Sequence, residues 1–101
     1  MTRILIVDDE PSVRALVRDI LELEDYEVVE AADGPSALER VEEQTPDLMV
    51  LDIMMPGMSG LDVLRELRRE RSGNELPIIL LTAASDDDTT WAGWTAGASV
   101  F

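Results

Sequence analysis

The chain has 101 residues, enough for one domain with a hydrophobic core. Its hydrophobic fraction of 46% excludes a disordered acidic tail, although the formal net charge is -14. That charge argues against binding of nucleic acid or of an anionic membrane by this chain alone. The absence of cysteine and of any long apolar run predicts a cytoplasmic protein without a membrane span.

Strand-like and helix-like segments alternate along the first half of the chain. The apolar run Ile4–Val7 predicts a strand covered on both faces. Pro11 suits the first position of a helix, and apolar residues follow it at helical spacing: Val13, Leu16, Val17, Ile20 and Leu21. Residues 26–31 are more polar and predict a strand at a sheet edge, and residues 33–35 predict the start of a second helix.

Three further strands are predicted in the second half, over residues 48–51, 78–81 and 99–101. Ser59 and Asp62 form a capping-box pattern at the start of a third helix, and Ser85 opens a fourth that runs to Gly97. Strands that alternate with helices at these spacings predict a parallel sheet with helices on both faces.

Polar residues follow three of the predicted strands, where ligands bind to sheets of this kind. Asp8 and Asp9 follow the first strand, Asp52 the third and Thr82 the fourth. Adjacent carboxylates repel each other, so they are either solvated at the strand end or hold a cation, and oxygen ligands suit Mg²⁺. A carboxylate can also act as a nucleophile that forms an aspartyl phosphate. We therefore interpret Asp8 and Asp9 as a metal pair, Asp52 as nucleophile and shared ligand, and Thr82 as a hydroxyl for a phosphoryl oxygen.

Four segments resemble the receiver domain of two-component response regulators: ILIVDDEPSVR, PDLMVLDIMMPGMSGLDVLRELR, PIILLTA and GASVF. The resemblance implies a flavodoxin-like α/β fold, a doubly wound parallel sheet with strand order 2-1-3-4-5. It also implies Mg²⁺-dependent transfer of a phosphoryl group to Asp52 from a histidine kinase or a phosphotransfer protein. The chain would then be a phosphorylation-driven switch and not an enzyme with an external product.

The same resemblance implies roles for individual residues. Asp8, Asp9 and Asp52 match the metal-binding acids, and Met54 matches the position whose main-chain carbonyl is a metal ligand. The switch residues of the family match, in chain order, the hydroxyl of Thr82, the backbone donor Ala83 and the aromatic ring of Phe101.

One feature of the family has no counterpart. Receivers carry a lysine shortly after the switch aromatic, whereas this sequence contains no lysine and ends at Phe101. The resemblance therefore implies one receiver domain over residues 1–101 that lacks the end of the fifth strand and the last helix. We expect little phosphorylation of this chain, and either marginal stability or self-association through the uncovered apolar surface.

Two other kinds of protein remain as alternatives. A phosphatase with an aspartyl nucleophile usually has a second acid two residues after the nucleophile, where this chain has Met54. A receiver-shaped binding module that works without phosphorylation would not need the complete set of acids, so metal titration separates it from a switch. Flavin binding is less favoured, because the first loop is acidic and not a phosphate cradle.

Overall fold

The computed structural model describes residues 1–70 and 75–81. The strands are β1 (Arg3–Val7), β2 (Glu27–Ala31), β3 (Leu48–Asp52) and β4 (Ile78–Leu81), and the helices are α1 (Pro11–Leu23), α2 (Gly34–Glu43) and α3 (Gly60–Arg68). The strands pair in parallel in the order β2-β1-β3-β4, which confirms the predicted flavodoxin-like topology over the described part. The predicted fourth helix and fifth strand, with Thr82, Ala83 and Phe101, lie outside the described residues.

Strand β1 lies at the centre of the described sheet. It pairs with β2 on one side and with β3 on the other, and the side chains of residues 4–7 are fully buried. This burial confirms that the continuous apolar run forms a strand covered on both faces. The more polar β2 occupies the edge, as its composition predicts, and carries the partly exposed Glu27 and Glu30.

The main core lies between one face of the sheet and the helices α2 and α3. It consists of alternating strand residues and the inner faces of the two helices, including Leu5, Val7, Met49, Leu51, Ala37, Val41, Val63, Leu64 and Leu67. Helix α1 contributes no fully buried residue, and its apolar residues Leu16 and Ile20 are 61% and 54% exposed. Among the described helices, none has the length and apolar character needed to cross a bilayer.

Side-chain caps fix the starts of α2 and α3. The Asp33 carboxylate accepts a hydrogen bond of 2.8 Å from the Ser36 N–H. At α3 the predicted capping box is confirmed, because Ser59 Oγ accepts from the Asp62 N–H at 3.2 Å and the Asp62 carboxylate accepts from the Ser59 N–H at 3.1 Å. The second cap ends the loop that follows Asp52 and fixes where α3 begins.

Candidate metal centre

Sheet register brings the three predicted acids to one edge. Val7 is paired with Leu51, so Asp8 and Asp52 each lie one residue further along adjacent parallel strands. One carboxylate oxygen each from Asp8, Asp9 and Asp52 lies within 4.8 Å of the other two. These three residues form the acidic cluster. It opens onto a cavity of about 430 Å³ that Glu10, Val13, Met54 and Leu81 also line.

Asp8 is the most buried member of the acidic cluster, with only 5% of the residue exposed. Its N–H donates to the Ala31 carbonyl at 3.2 Å, and its carboxylate accepts from the Glu10 N–H at 2.9 Å. Its own carbonyl accepts a bond of 2.7 Å from Arg14 Nη1. Each polar group of Asp8 thus has a partner on β2, in the β1–α1 turn or on α1.

Asp52 is more accessible than Asp8, and its carboxylate accepts a hydrogen bond of 3.1 Å from the Met54 N–H. The pKa of Asp52 is raised to about 6, mainly by burial and in smaller part by the negative charges of Asp8 and Asp9, against the lowering effect of the Met54 N–H. Asp52 is therefore ionised above neutral pH, but in a setting that disfavours its charge.

The raised pKa predicts that Asp52→Asn stabilises the cation-free protein near pH 7.5. Because the folded-state pKa lies above the unfolded value, the wild type loses stability as pH rises from about 4 to about 6, and the variant does not. The full shift corresponds to about 3 kcal/mol, which solvent screening of this partly exposed group reduces to about 1 kcal/mol. Urea unfolding in EDTA at pH 4 and pH 7.5 measures the difference. Equal stabilities of both proteins at pH 7.5 would contradict the assigned electrostatics.

The donor chemistry of the acidic cluster fits a hard divalent cation. All three ligand atoms are carboxylate oxygens, and among the ion pairs between described residues none involves these carboxylates. The mutual repulsion that raises the pKa of Asp52 would be relieved by a cation bound among them. Mg²⁺ is commonly held by a few carboxylates while it keeps several waters, and the open cavity leaves room for those waters.

Of the other predicted site residues, the structure describes only Met54. Met54 lines the cavity and is 68% exposed, and ligation by its carbonyl stays a prediction. Thr82 follows Leu81, which is paired with Asp52, but Thr82 itself lies outside the described residues, as do Ala83 and Phe101.

Arg14 contacts the main chain of the acidic cluster and was not among the site residues predicted from sequence. The available signal was its position in the first turn of a helix that begins three residues after Asp8.

The sequence of the chain is similar to those of known response regulators. The family model for the response regulator receiver domain matches residues 4–101. The chain is 47% identical over 94 residues to the probable transcriptional regulatory protein TcrX of Mycobacterium tuberculosis, covering 93% of this chain and 39% of that protein. It is 38% identical over 96 residues to the phosphate regulon transcriptional regulatory protein PhoB of Escherichia coli, covering 95% of this chain and 42% of PhoB. The chain thus spans about two fifths of the length of these relatives.

Solved structures agree with the described topology. The chemotaxis protein CheY4 of Vibrio cholerae superposes with a TM-score of 0.92 at 32% identity, over 99% of this chain and 83% of that one. The response regulator TrrA of Thermotoga maritima, solved in complex with Mg²⁺-BeF, superposes with a TM-score of 0.87 at 42% identity, over 99% of this chain and 84% of that one.

Proposed function

The chain belongs to the response regulator receiver domain family, and we propose that Asp52 is its phosphoacceptor. The observation that supports this assignment most is the convergence of Asp8, Asp9 and Asp52, with ligand oxygens within 4.8 Å of one another. Asp52 is the member at the end of β3 whose carboxylate is open to the cavity, whereas Asp8 is almost fully buried. A donor entering the cavity therefore reaches Asp52 more readily than Asp8.

The proposed reaction is attack by an Asp52 carboxylate oxygen on the phosphorus of a phosphohistidine. A P–O bond forms as the P–N bond breaks, and the imidazole leaves with that electron pair and takes up a proton from water. With its pKa near 6, Asp52 is ionised at pH 7 and above, so no base is needed to activate it. Asp8, Asp9, Asp52 and the main-chain carbonyl of Met54 would hold Mg²⁺, which when bound neutralises charge on the transferred group.

The other assignments follow from family membership. Thr82 would offer its hydroxyl and Ala83 its N–H to phosphoryl oxygens, and Phe101 would be the aromatic residue that repacks. A histidine kinase or phosphotransfer protein in the cytoplasm would be the donor. Residues 1–101 would form one receiver domain that switches partners and has no external product. Self-association is also proposed, and the exposed Leu16 on α1 is one apolar residue available for it.

The test is chemical labelling of the purified chain with acetyl phosphate. We expect Mg²⁺-dependent label at Asp52, located by mass spectrometry after borohydride trapping, and no label in Asp52→Asn or in EDTA. Asp47→Asn is the matched control, since the Asp47 carboxylate bonds the Arg3 N–H outside the acidic cluster. Label that persists in Asp52→Asn would refute the assignment.

A further inference from the structure

We propose that Arg14 is a positioning residue that fixes the peptide bond between Asp8 and Asp9, and so orients both carboxylates for the cation. This proposal rests on the metal site proposed above, but it concerns the ion-free protein as well. Arg14 lies in the first part of α1 with its side chain 18% exposed. It contacts a residue of the acidic cluster through that residue's main chain and not through its carboxylate.

Two contacts hold the Arg14 guanidinium in place. Nη1 donates to the Asp8 carbonyl at 2.7 Å, and Nε lies 3.4 Å from Glu30 Oε1. Glu30 is on β2, the strand that also accepts the Asp8 N–H through the Ala31 carbonyl. Arg14 therefore links α1, the β1–α1 turn and β2 at one point, with its orientation fixed by the Glu30 carboxylate.

The Arg14 bond to the Asp8 carbonyl affects the directions in which the side chains of Asp8 and Asp9 point. Successive side chains on an extended strand point to opposite faces, yet Asp8 and Asp9 both reach the acidic cluster. The backbone must therefore turn at the peptide that joins them, and the Asp8 carbonyl belongs to that peptide. Arg14 holds its oxygen, while the bond from the Glu10 N–H holds the Asp8 carboxylate. Because the guanidinium is at the carbonyl, both carboxylates stay available to a cation.

Arg18 provides a matched control on the same helix. Its Nη1 donates to Glu30 Oε2 at 2.9 Å, and its Nε lies 3.8 Å from carboxylate oxygens of Asp19 and of Glu22. Lysine keeps the charge at either position but has a single ammonium group at about the place of the arginine Cζ, one bond short of Nη1. In Arg14→Lys that ammonium pairs with Glu30 and the Asp8 carbonyl loses its donor. In Arg18→Lys the Nη1 bond to Glu30 is lost in the same way, but no bond to the acidic cluster is lost with it.

The experiment compares the wild type, Arg14→Lys and Arg18→Lys by two readouts. Isothermal titration with MgCl₂ should give a dissociation constant about tenfold higher for Arg14→Lys, the range typical of residues that orient metal ligands, and one within about twofold of wild type for Arg18→Lys. In EDTA, amide hydrogen exchange by NMR should be faster at Glu10 in Arg14→Lys only. Melting curves set a temperature at which all three proteins are fully folded.

The outcomes separate this proposal from the metal site itself. If Asp9→Asn binds Mg²⁺ as well as wild type, the proposed metal site is wrong. If Asp9→Asn is weakened but Arg14→Lys and Arg18→Lys behave alike in titration and exchange, the site stands and the positioning role of Arg14 is overturned.

Discussion

Replacement of Asp9 with asparagine is expected to raise the Mg²⁺ dissociation constant by about 100-fold. Residues that only orient metal ligands typically contribute about 10–100-fold to affinity. The change in affinity on losing a ligand together with its charge should therefore lie at the top of that range. The carboxylate of Asp9 is one of the three whose oxygens lie within 4.8 Å of one another, and its amide replacement is nearly the same size. The loss of Mg²⁺ affinity therefore comes from the lost charge and the weaker ligand, and not from a change in packing.

The measurement is isothermal titration of both proteins at pH 7.5, repeated at pH 5.5. Wild-type affinity should fall at the lower pH because a proton competes with the cation for Asp52, whose pKa is about 6. Asp25→Asn is the matched control, since it removes one charge at an exposed residue with φ 64°, a conformation that asparagine tolerates. Affinity of Asp9→Asn equal to that of this control would contradict the metal site.

The acidic cluster could be predicted from sequence because its members follow strands that sequence identifies well. The apolar run before Asp8 and the one that ends at Asp52 have the composition of buried parallel strands, and the carboxyl ends of such strands meet at one edge. The polar edge strand β2 and the capping box at Ser59 were predictable for similar reasons, since each depends on residues close together in the chain.

The contacts that hold the acidic cluster in place could not be predicted in the same way. Arg14 reaches the Asp8 carbonyl and Glu30 only because of how α1 crosses from β1 to β2, and neither amphipathic spacing nor residue type specifies that crossing. The approach of α3 to the end of β3 is another contact of this kind. The cap predicts the start of α3, but nothing in the sequence indicates how closely Gly60 lies to Asp52.

Gly60→Ala is expected to destabilise the fold by about 3 kcal/mol, the upper part of the usual range for overpacking. Gly60 is the first residue of α3, and alanine in a helix is normally more stable than glycine by about 0.5–1 kcal/mol. Here a Cβ atom would lie 2.8 Å from the Asp52 carbonyl carbon and 2.8 Å from Ile53 Cα, and closer still to the Asp52 carbonyl oxygen. These are main-chain atoms at the end of β3, so relief of the overlap requires movement of the Asp52 backbone or of α3.

Urea unfolding of Gly60→Ala and Gly57→Ala tests this contact directly. Gly57 lies in the loop before α3 with φ +76° and nothing within 4 Å of an added Cβ, so its replacement should cost only about 1 kcal/mol of backbone strain. The Gly60 N–H bond to the Ile53 carbonyl, 3.0 Å long, must also shift when α3 moves away. Mg²⁺ affinity should therefore fall in Gly60→Ala more than in Gly57→Ala, because the Asp52 backbone moves relative to Asp8 and Asp9 on the neighbouring strand. A Gly60→Ala protein as stable as wild type would mean that helix propensity outweighs the overlap, and that α3 does not fix the position of Asp52.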